Sequence, residues 1–333
     1  MDALSDALRV MGLTGGVFLE ASFTAPWCIV GKIGPDNCRP YLRAPTQVIG
    51  FHYIVEGRCL VQVEDQPACE LAAGDVVLLP HSDSHVMGSE FDLKPVPIAQ
   101  LIQPGTGLEL RKIVHGGGGT ATRFVCGFVG GEALINPLLA ALPPVLKVTL
   151  ADIPGGDWIA RSFAYAGSDL ASGGPGAATV MSKMSELLFV ETLRHFLAHE
   201  PPERIGWLAS LRDPAIGRAL SLLHSHPARN WTTEDLADQV HLSRSAFAER
   251  FTALLGQPPM RYLTVWRMQL AAQSLRLGRL SIAQIAYDCG YESEATFTRA
   301  FKREFGAPPS TWRRKLANGE APTGQQTATE PPS

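Results

Sequence analysis

The chain has 333 residues, of which 45% are hydrophobic and 18% charged, and a net charge of −3; that length and balance make about two well-buried domains and exclude a disordered or fibrous protein. Charge is unevenly placed: 13 basic face 21 acidic residues through Glu203, but 16 face 9 from Arg204 to Leu316, the distribution of a polyanion-binding module joined to a separate control domain. No run of about 18 apolar residues predicts a membrane span, residues 1–16 lack a signal-peptide core, and six cysteines without a C-x-x-C pair predict reduced thiols in a cytoplasmic protein.

From Phe18 to Phe128 the chain carries β-type runs, among them Val48 to Val55, Cys59 to Val63 and Asp75 to Leu79, broken at Glu56-Gly57-Arg58 and Ala72-Ala73-Gly74. Short strands at this spacing predict an all-β barrel or sandwich. Gly116 to Gly119 precede Thr120-Ala121-Thr122 rather than Lys-Ser/Thr, so they predict a flexible connector and no phosphate loop. Glu132 to Leu142 predicts a short helix before Pro143-Pro144, a few β-type runs persist between Val145 and Phe163, and Ser168 to Gly176 predicts a loop of small residues. From Ala177 to His199 a wide apolar stripe (Val180, Met184, Leu187, Leu188, Val190, Leu193, Phe196) predicts a helix packed on two sides. That helix is either part of the domain core or a dimerisation helix. Pro201-Pro202 ends it and opens a linker, and residues 317–333 predict a disordered tail.

The most informative feature is an internal repeat of about fifty residues in the basic part. Thr232-Thr233-Glu234-Asp235-Leu236-Ala237 opens a helix, Val240-His241-Leu242 breaks it, and Ser243 starts a second helix that ends at Gly256. Ser281-Ile282-Ala283-Gln284-Ile285-Ala286, Cys289-Gly290-Tyr291, Ser293 and Gly306 repeat the pattern. Phe247 pairs with Phe297, Phe251 with Phe301, Leu255 with Phe305, and Pro258-Pro259 with Pro308-Pro309. Ser281 with Gln284 fits a capping box, Ser243 and Ser293 can cap orphan N–H groups, and the glycines can take the left-handed conformation that closes a helix. With the apolar residues at i, i+4 and i+8 on one face, the other is left for a nucleic acid. It carries Arg244, Ser245, Ala248, Glu249 and Thr252 in the first copy, and Glu294, Ala295, Thr298, Arg299 and Lys302 in the second. Between the copies Met260 to Leu275 predicts a helix that spaces the two units rigidly, about one turn of duplex apart.

These residues make Trp231 to Arg314 similar to the AraC/XylS family DNA-binding domain, through Ile285-Ala286, Gly290-Tyr291, Ser293, Phe297, Arg299, Phe301-Lys302, Phe305-Gly306 and Pro309. The resemblance implies two helix-turn-helix units bridged by a long helix, binding asymmetric sites in double-stranded promoter DNA and usually activating transcription through RNA polymerase. Glu249, followed by Arg250, stands where many members place an arginine, which leaves the first unit's base contacts open.

Phe51 to Gly57 and Gly74 to His85 resemble the two cupin motifs. The fold class expected is therefore α+β and multidomain: a cupin-like β-barrel with following helices over residues 1–200, an all-α DNA-binding domain over 201–316, and the tail. Metal-binding cupins draw two histidines and a glutamate from the first motif and a histidine from the second. His52, Glu56 and His85 match three of these positions, Gly50 stands at the fourth, and His81 is a candidate to complete the set. A divalent metal, a polar-lined pocket for a small-molecule effector, or purely structural histidines are the alternatives. A cysteine sensor at Cys28, Cys38 or Cys126 is another. The function expected is a signal-responsive, homodimeric transcription regulator; a cupin metalloenzyme fused to a DNA-binding domain and a constitutive architectural binder are the rivals.

Overall fold

A computed structural model describes residues 2–38, 42, 45, 47–102, 111–131, 137–199 and 207–317. The chain begins with helix α1 (Ala3–Met11), capped by Asp2, whose carboxylate accepts the Ser5 N–H, and closed by Gly12 at φ 56°. The strands follow: β1 (Thr14–Thr24), β2 (Cys28–Gly31), β3 (Gln47–Glu56), β4 (Arg58–Val63), β5 (Cys69–Ala72), β6 (Asp75–Leu79), β7 (His85–Gly88), β8 (Val96–Pro97), β9 (Arg111–Gly116) and β10 (Ala121–Gly131). After α2 (Pro137–Ala140) and β11 (Leu146–Thr149) the chain is helical: α3 (Gly156–Ala171), α4 (Ala177–His199), α5 (Trp207–Ser210), α6 (Pro214–Ser225), α7 (Thr233–Gln239), α8 (Arg244–Leu255), α9 (Pro259–Leu277), α10 (Ile282–Asp288), α11 (Glu294–Phe305) and α12 (Pro309–Ala317).

The strands form a six-stranded sheet, ordered β11-β6-β3-β10-β1-β9, and a five-stranded sheet, ordered β5-β4-β7-β2-β8. Both feed one core: Leu19, Ile54, Val77 and Phe124 from the first meet Ile29, Val61, Leu71 and Met87 from the second. Burying such side chains is the main favourable term in folding, of order 1.5–3 kcal/mol each. Helix α4 packs on β1 and on α3. Its Met181, Ser185, Leu188, Phe189, Thr192 and Leu193 are buried, so that side of α4 is core; of the predicted stripe, Val180 is exposed and Met184, Leu187, Val190 and Phe196 are half-buried.

Two local expectations change. Residues 156–171 form a helix, where β-type runs and then a loop were expected, because Ile159, Phe163 and Ala166 fall on one buried helical face. Gly116 to Gly119 are pinned, not free: the N–H groups of Gly117 and Gly119 donate to Thr24 O and Ala25 O at 2.9 and 2.8 Å, and that of Gly118 to Thr24 Oγ1 at 2.9 Å. The expected helix over 132–142 is described only as Pro137–Ala140, residues 132–136 lying outside the described ones. The linker at Pro201-Pro202 and the tail from residue 318 also lie outside them.

Two compact units result, divided after Glu200 as expected, but with two short earlier segments grouped with the C-terminal unit. One is made of Leu13–Gly131 and Leu142–Glu200; the other groups Met1–Gly12 and Glu132–Ala141 with the chain from Pro201 onward. Helix α1 packs on α6 and α9, where Gln273 Nε2 donates to Arg9 O at 3.2 Å. Its apolar face of Ala3, Ala7, Val10 and Met11 is thereby buried.

Candidate nucleic-acid interface

In the helical unit the repeat becomes two helix pairs, α7–α8 and α10–α11, on either side of α9. Ser243 accepts the Ala246 N–H and Ser293 the Thr296 N–H, both at 3.2 Å, and each hydroxyl replaces a partner that a first-turn N–H lacks. At the other ends Gly256 and Gly306 lie at φ 69° and 74°, with their N–H groups on Thr252 O and Lys302 O at 2.8 Å. The full capping box is in the first copy: Asp235 N donates to Thr232 Oγ1 at 3.0 Å and Thr232 N to Asp235 Oδ2 at 2.8 Å. In the second, Ser281 caps Gln284 N, but the Gln284 amide turns away to Asp288 Oδ1 at 2.8 Å, so the reciprocal half expected there is missing.

The inner faces are core. Phe247, Phe251, Phe297 and Phe301 are fully buried, and Phe305 lies between Phe301 and Trp312 with ring centroids 4.6 and 6.0 Å away. Leu255, expected to match Phe305, is only half-buried. Helix α9 supplies Met268, Ala271, Ala272 and Leu275 to the second core and runs 19 residues, about 28 Å at 1.5 Å per residue. On the outer face of α8, Arg244, Ser245 and Glu249 are exposed and Ala248 and Thr252 half-buried. On α11, Glu294, Ala295, Arg299 and Lys302 are exposed and Thr298 half-buried.

The residue next to Glu249 has other work. Arg250 Nε and Nη2 both reach Asp213 Oδ2 at 2.6 Å, while Asp213 Oδ1 accepts the Ala215 and Ile216 N–H groups at 3.0 Å. Arg250 therefore fastens α8 to the capped start of α6. Glu304 is likewise held by Arg261 at 2.8 Å, which leaves Glu294, Arg299, Lys302 and Arg303 as the exposed charges of α11. Arg303 and Arg314 are exposed cations that the sequence reading left out; both follow directly on basic residues it contained or adjoined, Lys302 and Arg313.

In the sheet-rich unit the four candidate ligands do not converge. His52 and His85 are buried with their Nε2 atoms 2.8 Å apart. Glu56 lies exposed at the end of β3, where Arg123 Nε donates to it at 2.8 Å, and the exposed His81 donates from Nε2 to Leu142 O at 3.0 Å. The fourth ligand position is filled from outside: a Cβ on Gly50 would stand 2.9 Å from Ile33 Cδ1. Among the described residues no three His, Cys, Asp or Glu side chains come together as a metal would require. The residues present therefore do not fit a divalent ion, which was one of the alternatives.

They form a hydrogen-bonded chain instead. His85 Nδ1 lies 3.2 Å from Asp83 O, and a carbonyl only accepts, so Nδ1 carries the proton and Nε2 is bare. His52 Nε2–H then donates to it, and bare His52 Nδ1 accepts from the Cys126 thiol at 3.0 Å. Both imidazoles are held neutral: burial and the facing His85 push the His52 value well below the ordinary one, and burial lowers His85. Burial raises the thiol values of Cys28, Cys38 and Cys126, and all three are buried, the reverse of the exposed, acidified thiol that a sensor needs.

Paired short helices with matching caps and polar outer faces in one unit, and two sheets in the other, define a two-part protein with a helical nucleic-acid-binding module. The family model described as Cupin matches residues 2–198, and that described as Helix-turn-helix domain matches residues 236–315. A putative AraC-like transcription regulator of Streptomyces lividans is 35% identical over 80% of this chain and 87% of its own length. Another, of Streptomyces antibioticus, is 32% identical over 94% of this chain and 99% of its own. The HTH-type transcriptional regulator AlkR of Acinetobacter baylyi is 28% identical over 95% of this chain and all of its own. The chain belongs to the AraC-like transcription regulators with an N-terminal cupin domain. No helix among the described residues is long and apolar enough to cross a membrane.

Proposed function

We propose that this protein is a sequence-specific DNA-binding transcription regulator, an activator, whose sheet-rich unit receives a small-molecule or stress signal. The observation that carries the reading is the duplication itself. Two helices with the same cap, closing glycine and buried phenylalanines present equivalent polar faces in the basic part of the chain. Each enters a major groove by its first turns, Arg244, Ser245, Ala248, Glu249 and Thr252 from α8 and Glu294, Ala295, Thr298, Arg299 and Lys302 from α11. Helix α9, about 28 Å long, suits grooves that recur about every 34 Å along one side of the duplex.

The partners are double-stranded promoter DNA and RNA polymerase, and the active form is a homodimer. The contact between copies needs an exposed apolar face. The outer side of α3 suits it, with Trp158 and Tyr165 exposed two turns apart on one face. The rival metalloenzyme reading lacks support in the ligand geometry, since Glu56 and His81 point to Arg123 and Leu142.

Mobility shifts across a range of salt test the proposal. Lys302→Ala should weaken binding to specific and random DNA by the same factor and reduce the salt slope by about 1, the signature of one phosphate contact. Arg299→Ala should instead relax base preference at one position, by about 1–3 kcal/mol. A protein that binds every sequence equally well before either change would overturn the reading.

A further inference from the structure

The duplication puts opposite charges at two equivalent positions, Arg244 against Glu294 and Glu249 against Arg299, and the second pair lies further along the helix. Ser243 matches Ser293 and Phe247 matches Phe297, which makes Glu249 the counterpart of Arg299, each six residues after its helix cap and each exposed. Nothing neutralises the carboxylate along its own helix. The residues three and four away on either side are Ser245, Ala246, Thr252 and Ala253. Arg250 beside it is committed to Asp213 at 2.6 Å. A bare carboxylate brought up to a phosphate-lined groove is repelled unless it finds a hydrogen-bond donor.

The major groove offers two such donors, the amino groups of cytosine and adenine. Adenine sets its N7 acceptor beside that amino group, where it would face the second carboxylate oxygen. Cytosine sets only a C–H there. Resting on the DNA-binding reading above, we propose that Glu249 is a base-reading residue that accepts a hydrogen bond from the exocyclic amino group of a cytosine. The two units then read opposite chemistry at the same helix position: a donor by Glu249 in one, and by Arg299 the paired acceptors of a guanine in the other. Such a site is directional, so a near-symmetric protein module binds in one orientation only.

The test is selection from random duplexes with the full chain and with Glu249→Ala, Glu249→Gln and Arg299→Ala, followed by affinity measurements on single-base variants. Glu249 is exposed, so none of its changes should disturb the fold, and circular dichroism verifies this. The unaltered chain should prefer cytosine at one position by about tenfold or more. Glu249→Gln should move that preference to adenine, whose donor and acceptor match an amide. Glu249→Ala should lose it while keeping the rest of the site, and should bind sites lacking the cytosine more tightly than the unaltered chain does. An equal gain in affinity on every sequence with Glu249→Ala would mean simple repulsion, and the assignment would fall. A guanine preference relaxed by Arg299→Ala beside a site unchanged by both Glu249 variants would sink this inference alone; no selected sequence at all would sink the DNA-binding reading with it.

Discussion

Acid should loosen the helical unit through one buried imidazole. His224 on α6 stacks on Trp266 with ring centroids 3.7 Å apart, and its Nε2 lies 2.8 Å from the Tyr262 hydroxyl, which accepts the Trp207 indole N–H at 2.8 Å. Burial favours the neutral ring, whose bare Nε2 can take the Tyr262 proton. Burial lowers its value from the ordinary 6.5 to about 3. In the unfolded chain the group takes a proton below about 6.5; in the folded protein it does not until near 3. Its contribution is thus fully present above pH 6.5 and is lost as the pH falls from there toward 3. At pH 5.0 the loss is about 2 kcal/mol, at 1.36 kcal/mol per unit over some 1.5 units. His224→Phe keeps the stacking on Trp266 but leaves the Tyr262 hydroxyl without an acceptor, which costs about 1 kcal/mol at any pH. Urea unfolding followed by tryptophan fluorescence should show the variant less stable at pH 7.5 and at least as stable as the unaltered chain at pH 5.0. The buried His52 and His85 act with the same sign in both proteins and cancel in the comparison. A difference between the two that stays constant from pH 7.5 to 5.0 would refute the argument.

Arg250→Ala should cost about 0.5–1 kcal/mol in denaturant unfolding, because half the guanidinium faces solvent and screening takes much of the ion pair's worth; the DNA sequence selected should not change, and a changed site would place Arg250 on the bases. Gly116→Ala should destabilise the sheet-rich unit by about 3 kcal/mol or more, read as a lowered melting temperature. At φ 138° an added Cβ would fall 1.9 Å from Thr24 O, so only a large backbone shift could admit it, and an unchanged melting temperature would show the segment to be loose after all.

The repeat was legible in the sequence because caps, closing glycines and i, i+4 aromatic pairs are local. Ser243 finds the Ala246 N–H three residues on, and Gly256 finds Thr252 O four residues back, with no help from the rest of the chain. Helix α3 was less legible because it starts at Gly155 with no side-chain cap and contains Gly167 and several small residues. Its buried face counts only once β3 and α4 are there to receive it. The candidate ligands failed for a related reason. The spacing of His52, Glu56 and His85 matches a motif, but spacing does not say where a side chain at a strand end will point.

What the sequence determined by itself was the duplicated helix pair, the polar faces it leaves outward and the acidic-to-basic division of the chain, all set by residues within a turn or two of each other. Only the tertiary structure decided that Asp213 holds Arg250 across 37 positions and that Ile33 fills the space beside Gly50. It also decided that the first helix joins the unit at the other end of the chain. Those outcomes depend on which distant surfaces meet, and the free energy of meeting belongs to the pair, not to either segment.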